Sequence, residues 1–276
     1  MITVRLKGGL GNQMFQYALG RSLSVQNEDS LILDTSYYSP NAVPKRQYDL
    51  DIFNIKFDGV ENKKNARNIF LRVQSVFFKK NGIEKSFDFD PTILNLEGDI
   101  YLDGYWQSEK YFKKYENVIR EDFTLKNVRD ILKEKINEIQ SCNSVALHIR
   151  RGDYVGNSNH PVQDLEYYRD AIIEISKVTQ IDKIFVFSDD IPWCKENIKS
   201  DYNVEFFIKE DYNTTDQEEM ILMSKCKHFI IANSSFSWWG AWLSNNPNKI
   251  VVAPERWFFD KDKNTTDLLP IDWIKI

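Results

Sequence analysis

Val145-Ala-Leu-His148-Ile-Arg150-Arg151-Gly-Asp153-Tyr154 is the stretch whose reading decides the fold. Val145, Ala146, Leu147 and Ile149 read as a buried strand. Gly152 and Asp153 read as the turn at its C-terminal end. In an open α/β sheet, ligands bind outside the carboxyl ends of the strands. Two guanidinium groups placed there suit a phosphate, because the planar fork matches phosphate geometry and never loses its charge. The plainer alternative is a strand that ends in a surface ion pair, such as Arg151 with Asp153.

Two further strand-to-helix turns have the same character. The chain opens with a strand, Ile2-Thr-Val-Arg-Leu6, and runs into Lys7-Gly8-Gly9-Leu10-Gly11-Asn12-Gln13. Glycines there let the backbone approach a ligand. Asn12 is a candidate cap for a helix over residues 12–26, whose start offers free N–H groups to an anion. No Gly-Lys-Ser/Thr follows, so this is not a P-loop, nor is it Gly-x-Gly-x-x-Gly. The third turn is Ile230-Ile-Ala-Asn233-Ser234-Ser235-Phe236-Ser237-Trp238-Trp239. Ser234 and Ser235 are candidates to cap the aromatic helix and to offer hydroxyls and N–H groups to a phosphate. The alternative is an ordinary cap with its tryptophans in the core.

Around these turns the second half alternates in type. Strands are expected at 145–150, 183–188, 203–207, 228–232 and 249–253. Helices are expected at 164–178, 192–198, 216–225 and 235–244. That pattern predicts a parallel sheet wrapped by helices. In the first half, strands are expected at 30–34 and 101–106, a helix near 108–115, and a polar helix at 128–139 bridging two lobes. Residues 62–85 are basic and helical in pattern. They are a candidate contact for an anionic membrane or a lipid-linked acceptor. The plainer reading is an amphipathic helix packed on its own lobe.

With 276 residues and 42% hydrophobic content, the chain is long enough for two α/β lobes. A net charge of −5 argues against a nucleic-acid binder. No apolar run approaches the roughly 20 residues of a membrane span. Met1-Ile-Thr-Val already reads as a strand with no basic leader, which predicts a cytoplasmic chain. Cys142, Cys194 and Cys226 are scattered and read as buried thiols.

Taken together, these segments resemble the α-1,2-fucosyltransferase family, glycosyltransferase family 11, of bacterial type. The matching pieces are Gly8-Gly-Leu-Gly-Asn-Gln-Met-Phe-Gln-Tyr17, Gly104-Tyr-Trp-Gln-Ser-Glu-Lys-Tyr111 and His148-Ile-Arg-Arg-Gly-Asp-Tyr154. They continue with Phe187-Ser-Asp-Asp190 and with Leu222-Met-Ser-Lys-Cys226 running into Asn233-Ser-Ser-Phe-Ser-Trp-Trp239. The His-x-Arg-Arg-x-Asp core alone also resembles α-1,6- and protein O-fucosyltransferases. The opening glycine turn and the long aromatic motif favour the α-1,2 group.

The resemblance implies an α/β fold of glycosyltransferase B architecture, two Rossmann-like lobes with a cleft between them. Residues 1–140 would form the acceptor-side lobe and 141–276 the lobe that binds GDP-fucose. It implies inverting, metal-independent transfer of L-fucose from GDP-β-L-fucose to the 2-hydroxyl of a galactose-terminated glycan, without a cofactor. The acceptor is read as a glycan, lipid-linked in surface-polysaccharide assembly.

Arg150 is then the main phosphate clamp, supported by Arg151, which otherwise reaches Asp153. His148 and Glu219 match the positions that hold guanine, with Asp216 as runner-up, and Phe236 would stack on the base. Ser234 and Ser235 add helix-dipole stabilisation. Gly9, Gly11 and Asn12 would line the cleft, touching diphosphate or acceptor. An inverting enzyme needs a base at the acceptor hydroxyl. Asp153, Asp34 and His160 are the candidates, and Asp153 is the one named. Asp49-Leu-Asp51 and Asp88-Phe-Asp90 have the spacing of a metal motif but read as surface turns. Asp189-Asp190 is the more tempting pair, with one carboxylate orienting arginines. Two rival classes remain: a fucosyltransferase of another linkage, and a non-catalytic glycan- or nucleotide-binding protein.

Overall fold

The computed structural model describes residues 1–38, 46–61, 80–260 and 262–276. They form two parallel sheets with helices, the α/β class expected. The first sheet contains β1 (Ile2–Arg5), β2 (Leu31–Asp34), β3 (Gly59–Glu61), β4 (Lys80–Ile83) and β5 (Ile100–Asp103). Its order is β3-β2-β1-β5-β4, and every pairing is parallel. The chain steps outward from β1 to β2 and β3, then continues on the other side of β1. The reversal point of this sheet therefore lies between β1 and β5. Helix α1 (Leu10–Asn27) joins β1 to β2 and buries Met14, Phe15, Tyr17, Ala18, Leu19 and Leu23.

Three expectations for this half change. Helix α1 begins at Leu10 with Gly9 as its N-cap, so Asn12 sits inside the first turn and caps nothing. The segment 108–115 forms two short 3-10 turns, Glu109–Tyr111 and Lys113–Tyr115, before helix α2 (Glu116–Asp122). Ser108 caps the first turn, and Tyr111 and Phe112 point into the core. Of the basic run 62–85, residues 62–79 lie outside the described residues, and β4 is strand rather than helix.

The second sheet contains β6 (Ser144–Ile149), β7 (Lys183–Ser188), β8 (Asn203–Phe206), β9 (His228–Ile230), β10 (Val251–Ala253) and β11 (Ile274–Lys275). Its order is β11-β10-β9-β6-β7-β8, again parallel throughout. Here the reversal point lies between β6 and β9. All six residues of β6 are buried, as a strand covered on both faces requires. Its helices are α3 (Asp130–Gln140), α4 (Leu165–Ser176), α5 (Ile191–Asn197), α6 (Lys209–Tyr212), α7 (Asp216–Met223) and α8 (Ser235–Trp242). Tyr168, Ala171, Ile172 and Ile175 of α4 pack on Val145, Leu147, Ile149, Ile184 and Val186. Trp238, Trp239 and Trp242 help bury α8 from Ser237 onward, while Ser235 and Phe236 at its start are half-buried.

The contacts divide the chain into Met1–Lys126 with Asn264–Leu268, and Asn127–Lys263 with Leu269–Ile276. The division thus precedes α3 instead of following it at residue 140. The reason lies in side chains: α3 packs on α7, Lys135 pairs with Glu205 of β8, and Arg129 at its start forks onto Glu218. Segment 264–268 joins the first unit because Asp267 accepts the Phe89 N–H at 2.9 Å and pairs with Lys110 at 2.5 Å.

Candidate functional site

In parallel sheets the loops at the reversal point splay apart and leave room for a ligand. In the second unit those loops follow β6 and β9. The first carries Arg150 to Tyr154, and the second carries Asn233 and Ser234 into α8.

His148, next to last in β6, is buried and stacks on Phe236 of α8, with ring centroids 5.4 Å apart and planes 29° from parallel. Burial, and then the charge on Arg150, push its pKa down to about 3, so the ring is neutral near pH 7. Its Nδ1 has no hydrogen-bond partner among the described residues.

Arg150 donates from Nε and Nη2 to Asp153 Oδ1 at 2.9 and 2.6 Å, and its Nη1 lies 3.0 Å from Asp189 Oδ2. Burial alone would lower its pKa, but Asp189 and Asp153 outweigh that and raise it. Arg151 turns the other way. Its guanidinium lies 3.8 Å over the Trp193 ring, and its Nε donates to Asp190 Oδ2 at 3.1 Å. The expected Arg151–Asp153 pair is therefore not formed, because Asp153 faces Arg150 and α5 presents Asp190 and Trp193 to Arg151.

Asp189 and Asp190 both hold arginines. Asp189 also accepts the Arg151 backbone N–H at 2.9 Å, and Asp190 caps α5. Gly152 permits this closeness, since a Cβ there would lie 2.7 Å from Asp189 Oδ2.

Helix α8 starts at the same reversal point. Ser234 is its N-cap residue, but no side chain caps the helix, contrary to expectation. The first-turn amides of Ser235, Phe236 and Ser237 have no intrahelical acceptor. Asn233 fastens the turn by donating to Pro161 O and Trp257 O at 3.0 and 2.9 Å.

Two adjacent glutamates on α7 have different duties. Glu218 completes the capping box with Thr215 and takes a forked pair of bonds from Arg129 at 2.9 Å each. Glu219 is 9% exposed and takes no side-chain hydrogen bond from the described residues. Burial first, then Asp216, Asp189 and Glu210 against the opposing Lys209, push its pKa up to about 7. Asp216 is exposed and pairs with Lys209.

The base candidates separate as well. Asp34 accepts the Tyr101 hydroxyl at 2.6 Å and the Ser36 N–H at 2.9 Å, so it is a structural residue. His160 is not an exposed loop histidine. It stacks on Tyr154 at 4.7 Å and against Phe258 at 5.0 Å, and burial lowers its pKa. Asp153 is 47% exposed and holds Arg150. Gly9, Gly11 and Asn12 lie in the first unit, at its own reversal point.

Asp88 and Asp90 are engaged in local turns with Ser86 and Thr92, and the Asp49 N–H donates to Gln13 Oε1. Among the described residues, no three His, Cys, Asp or Glu side chains gather as metal ligands. No helix of the described residues is long and apolar enough to cross a membrane. Cys194 and Cys226 are buried, whereas Cys142 is only half-buried, and all three are free. Sequence reasoning missed Trp193 as the face under Arg151. Its signal was its place three residues after Asp190, one turn into α5.

The geometry invites comparison with known proteins. The chain is 38% identical over 292 residues to an Escherichia coli alpha-1,2-colitosyltransferase, covering 100% of this chain and 99% of that protein. It is 35% identical over 305 residues to the Escherichia coli O-antigen biosynthesis glycosyltransferase WbnK, covering 98% and 99%. Among solved structures, POFUT1 in complex with GDP-fucose superposes with a TM-score of 0.49 at 13% identity, covering 91% of this chain and 97% of that one. The profile of Glycosyl transferase family 11 matches residues 1–276. The chain belongs to glycosyl transferase family 11.

Proposed function

We propose that the protein transfers L-fucose from GDP-β-L-fucose to the 2-hydroxyl of a galactose-terminated glycan, with inversion and without a metal. The observation that carries this reading is the Arg150 guanidinium, which stands at the reversal point of the second sheet together with the open first turn of α8. In the transfer, the acceptor oxygen forms its bond to the fucosyl anomeric carbon as the bond to the diphosphate oxygen breaks. The electron pair leaves on GDP, and the acceptor proton passes to a base, for which Asp153 is our candidate.

Arg150 and the α8 amides meet the charge that grows on the leaving diphosphate. To do so, Arg150 turns its Nε/Nη2 edge from Asp153 to phosphate, while Asp189 keeps hold of Nη1. Glu219 as carboxylate accepts the N1–H and exocyclic amine of guanine, neutral His148 supports the base, and Phe236 stacks on it. Arg151, Ser234 and Ser235 complete the donor site. Metal independence is part of the proposal, since these cations and amides supply the charge stabilisation that a metal otherwise gives.

The relative named for O-antigen biosynthesis supports a glycan acceptor; that this glycan is lipid-linked and met at the cytoplasmic face of the inner membrane is part of the proposal. A second donor reading has one observation in its favour. The relative at 38% identity is named a colitosyltransferase, and colitose is the 3-deoxy counterpart of fucose.

NMR of the product formed from GDP-fucose and lactose tests the reading. An α-fucosyl residue on galactose O2 supports it. A β-anomer or another linkage refutes it, and faster use of GDP-colitose would select the second donor.

A further inference from the structure

The donor site lies where the strands of the second sheet finish. At the opposite end, among the segments that lead into those strands, is a cavity of about 400 Å³. Gln140 closes α3 there, Ser224 to Lys227 join α7 to β9, and Ser244 to Asn246 follow α8. Its volume falls in the lower part of the roughly 300–1,000 Å³ typical of small-molecule sites.

The lining is cationic and polar. It contains Lys225 and Lys227 and no carboxylate. Neither ammonium forms an ion pair among the described residues. Lys225 is half-buried, and burial with no carboxylate to offset it lowers its pKa. A cation in that position normally finds a carboxylate or a helix-end carbonyl.

Here both kinds of partner are already engaged. The carbonyls of Met220, Ile221, Leu222 and Met223 end α7. They accept the Ser224 N–H, the Ser224 hydroxyl, the Lys225 N–H and the Cys226 N–H. Those of Ala241 and Trp242 in α8 accept Lys249 Nζ at 2.9 and 3.2 Å. Glu138 of α3 is held by Lys135 and Lys183 at 2.7 and 2.6 Å. Gln140 and Asn245 are exposed, and their side chains make no hydrogen bond among the described residues. Asn246 fixes the wall by donating from Nδ2 to Lys227 O at 2.9 Å.

We propose that this cavity binds the phosphate group of a small ligand, with Lys225 and Lys227 on the charge and the Gln140 and Asn245 amides on the rest of the molecule. A phosphate supplies the counter-charge that the fold withholds from Lys225. The ligand is a soluble phosphate ester or an anionic lipid headgroup, and the site is separate from the one built on Arg150.

Pyrophosphate is the soluble probe, titrated by calorimetry into the Arg150→Ala protein, whose donor site lacks its clamp. Adding Lys225→Met keeps the aliphatic stem and removes the charge. It should weaken pyrophosphate about tenfold or more, the effect of one lost charge-assisted contact. Without the probe, Lys225→Met should leave Tm level or higher, because it removes a desolvated cation that has no partner. A lower Tm would reveal an internal partner and overturn the proposal.

Vesicles identify the source. Retention on phosphatidylglycerol but not phosphatidylcholine vesicles, lost in Lys225→Met, assigns a lipid headgroup. Lys225-dependent pyrophosphate binding without retention assigns a soluble ester. No binding of either probe, or binding unchanged by Lys225→Met, would overturn the site.

Discussion

Replacing Arg150 by alanine should remove most turnover and leave the fold standing. The Arg150 side chain is 27% exposed and neutralises both Asp153 and Asp189. Losing one donor aimed at developing charge costs about 2.7–4 kcal/mol in comparable sites. The alanine variant also leaves two carboxylates facing the place assigned to the diphosphate, each adding on the order of 1 kcal/mol of repulsion in a wet site. The sum, about 5 kcal/mol, is a loss of roughly 10³ or more in kcat/KM.

The fold should hold, because Asp189 retains the Arg151 N–H and α5 keeps its cap. Arg150→Lys should fall between, about 10- to 100-fold down, since it keeps the charge but not the fork. Initial rates of GDP release with GDP-fucose and lactose give kcat/KM, and circular dichroism confirms the fold. A folded Arg150→Ala protein within tenfold of the unsubstituted rate would refute the argument.

Glu219 keeps its proton up to about pH 7 in the fold but releases it near 4.5 when unfolded, so its contribution to stability declines as pH rises across that window. A guanine-binding Glu219 must be ionised, so GDP affinity should rise about tenfold between pH 6 and 8 and be flat in Glu219→Gln. Calorimetric titration of GDP across that range checks it, and pH-independent binding by the unsubstituted protein would contradict it. Asp153→Asn should cut turnover yet tighten GDP, because the substitution frees the Arg150 edge. Asp153 is 47% exposed, so the pair is worth about 1 kcal/mol at most and the gain is no more than about fivefold. Weaker GDP binding in that variant would show that Asp153 only orients Arg150. Gly104→Ala should lower stability by about 1–3 kcal/mol through overpacking on Glu84 and Trp106, read as a drop in Tm of a few degrees. An unchanged Tm would mean that the turn relaxes freely.

The second sheet was legible in the sequence because strands buried on both faces are unbroken apolar runs bounded by turn residues. Lys183–Ser188 follows that rule. The outer strands of the first sheet were not legible. Gly59-Val-Glu61 and Lys80-Asn-Gly-Ile83 are short and polar, and they become strand only by pairing with β2 and β5. The Asn12 cap failed because Gly9, already extended at φ −84° and ψ −179°, starts the helix earlier.

At the candidate site, local sequence identified the residues but not their partners. Arg150 reaches Asp189, and Arg151 reaches Asp190 and Trp193, across about 40 positions that carry no periodic signal. Glu84 was invisible for the same reason. Its two bonds go to the Tyr105 and Trp106 N–H groups, 21 and 22 residues on, at the turn where Trp106 has positive φ.

The most direct test of the central claim is GDP release from GDP-fucose, with and without lactose, in the presence of EDTA. Metal-independent transfer gives release that depends on lactose and is indifferent to EDTA. Release abolished by EDTA would contradict metal-independent transfer. No release, together with no thermal stabilisation by GDP, would contradict the donor site built on Arg150.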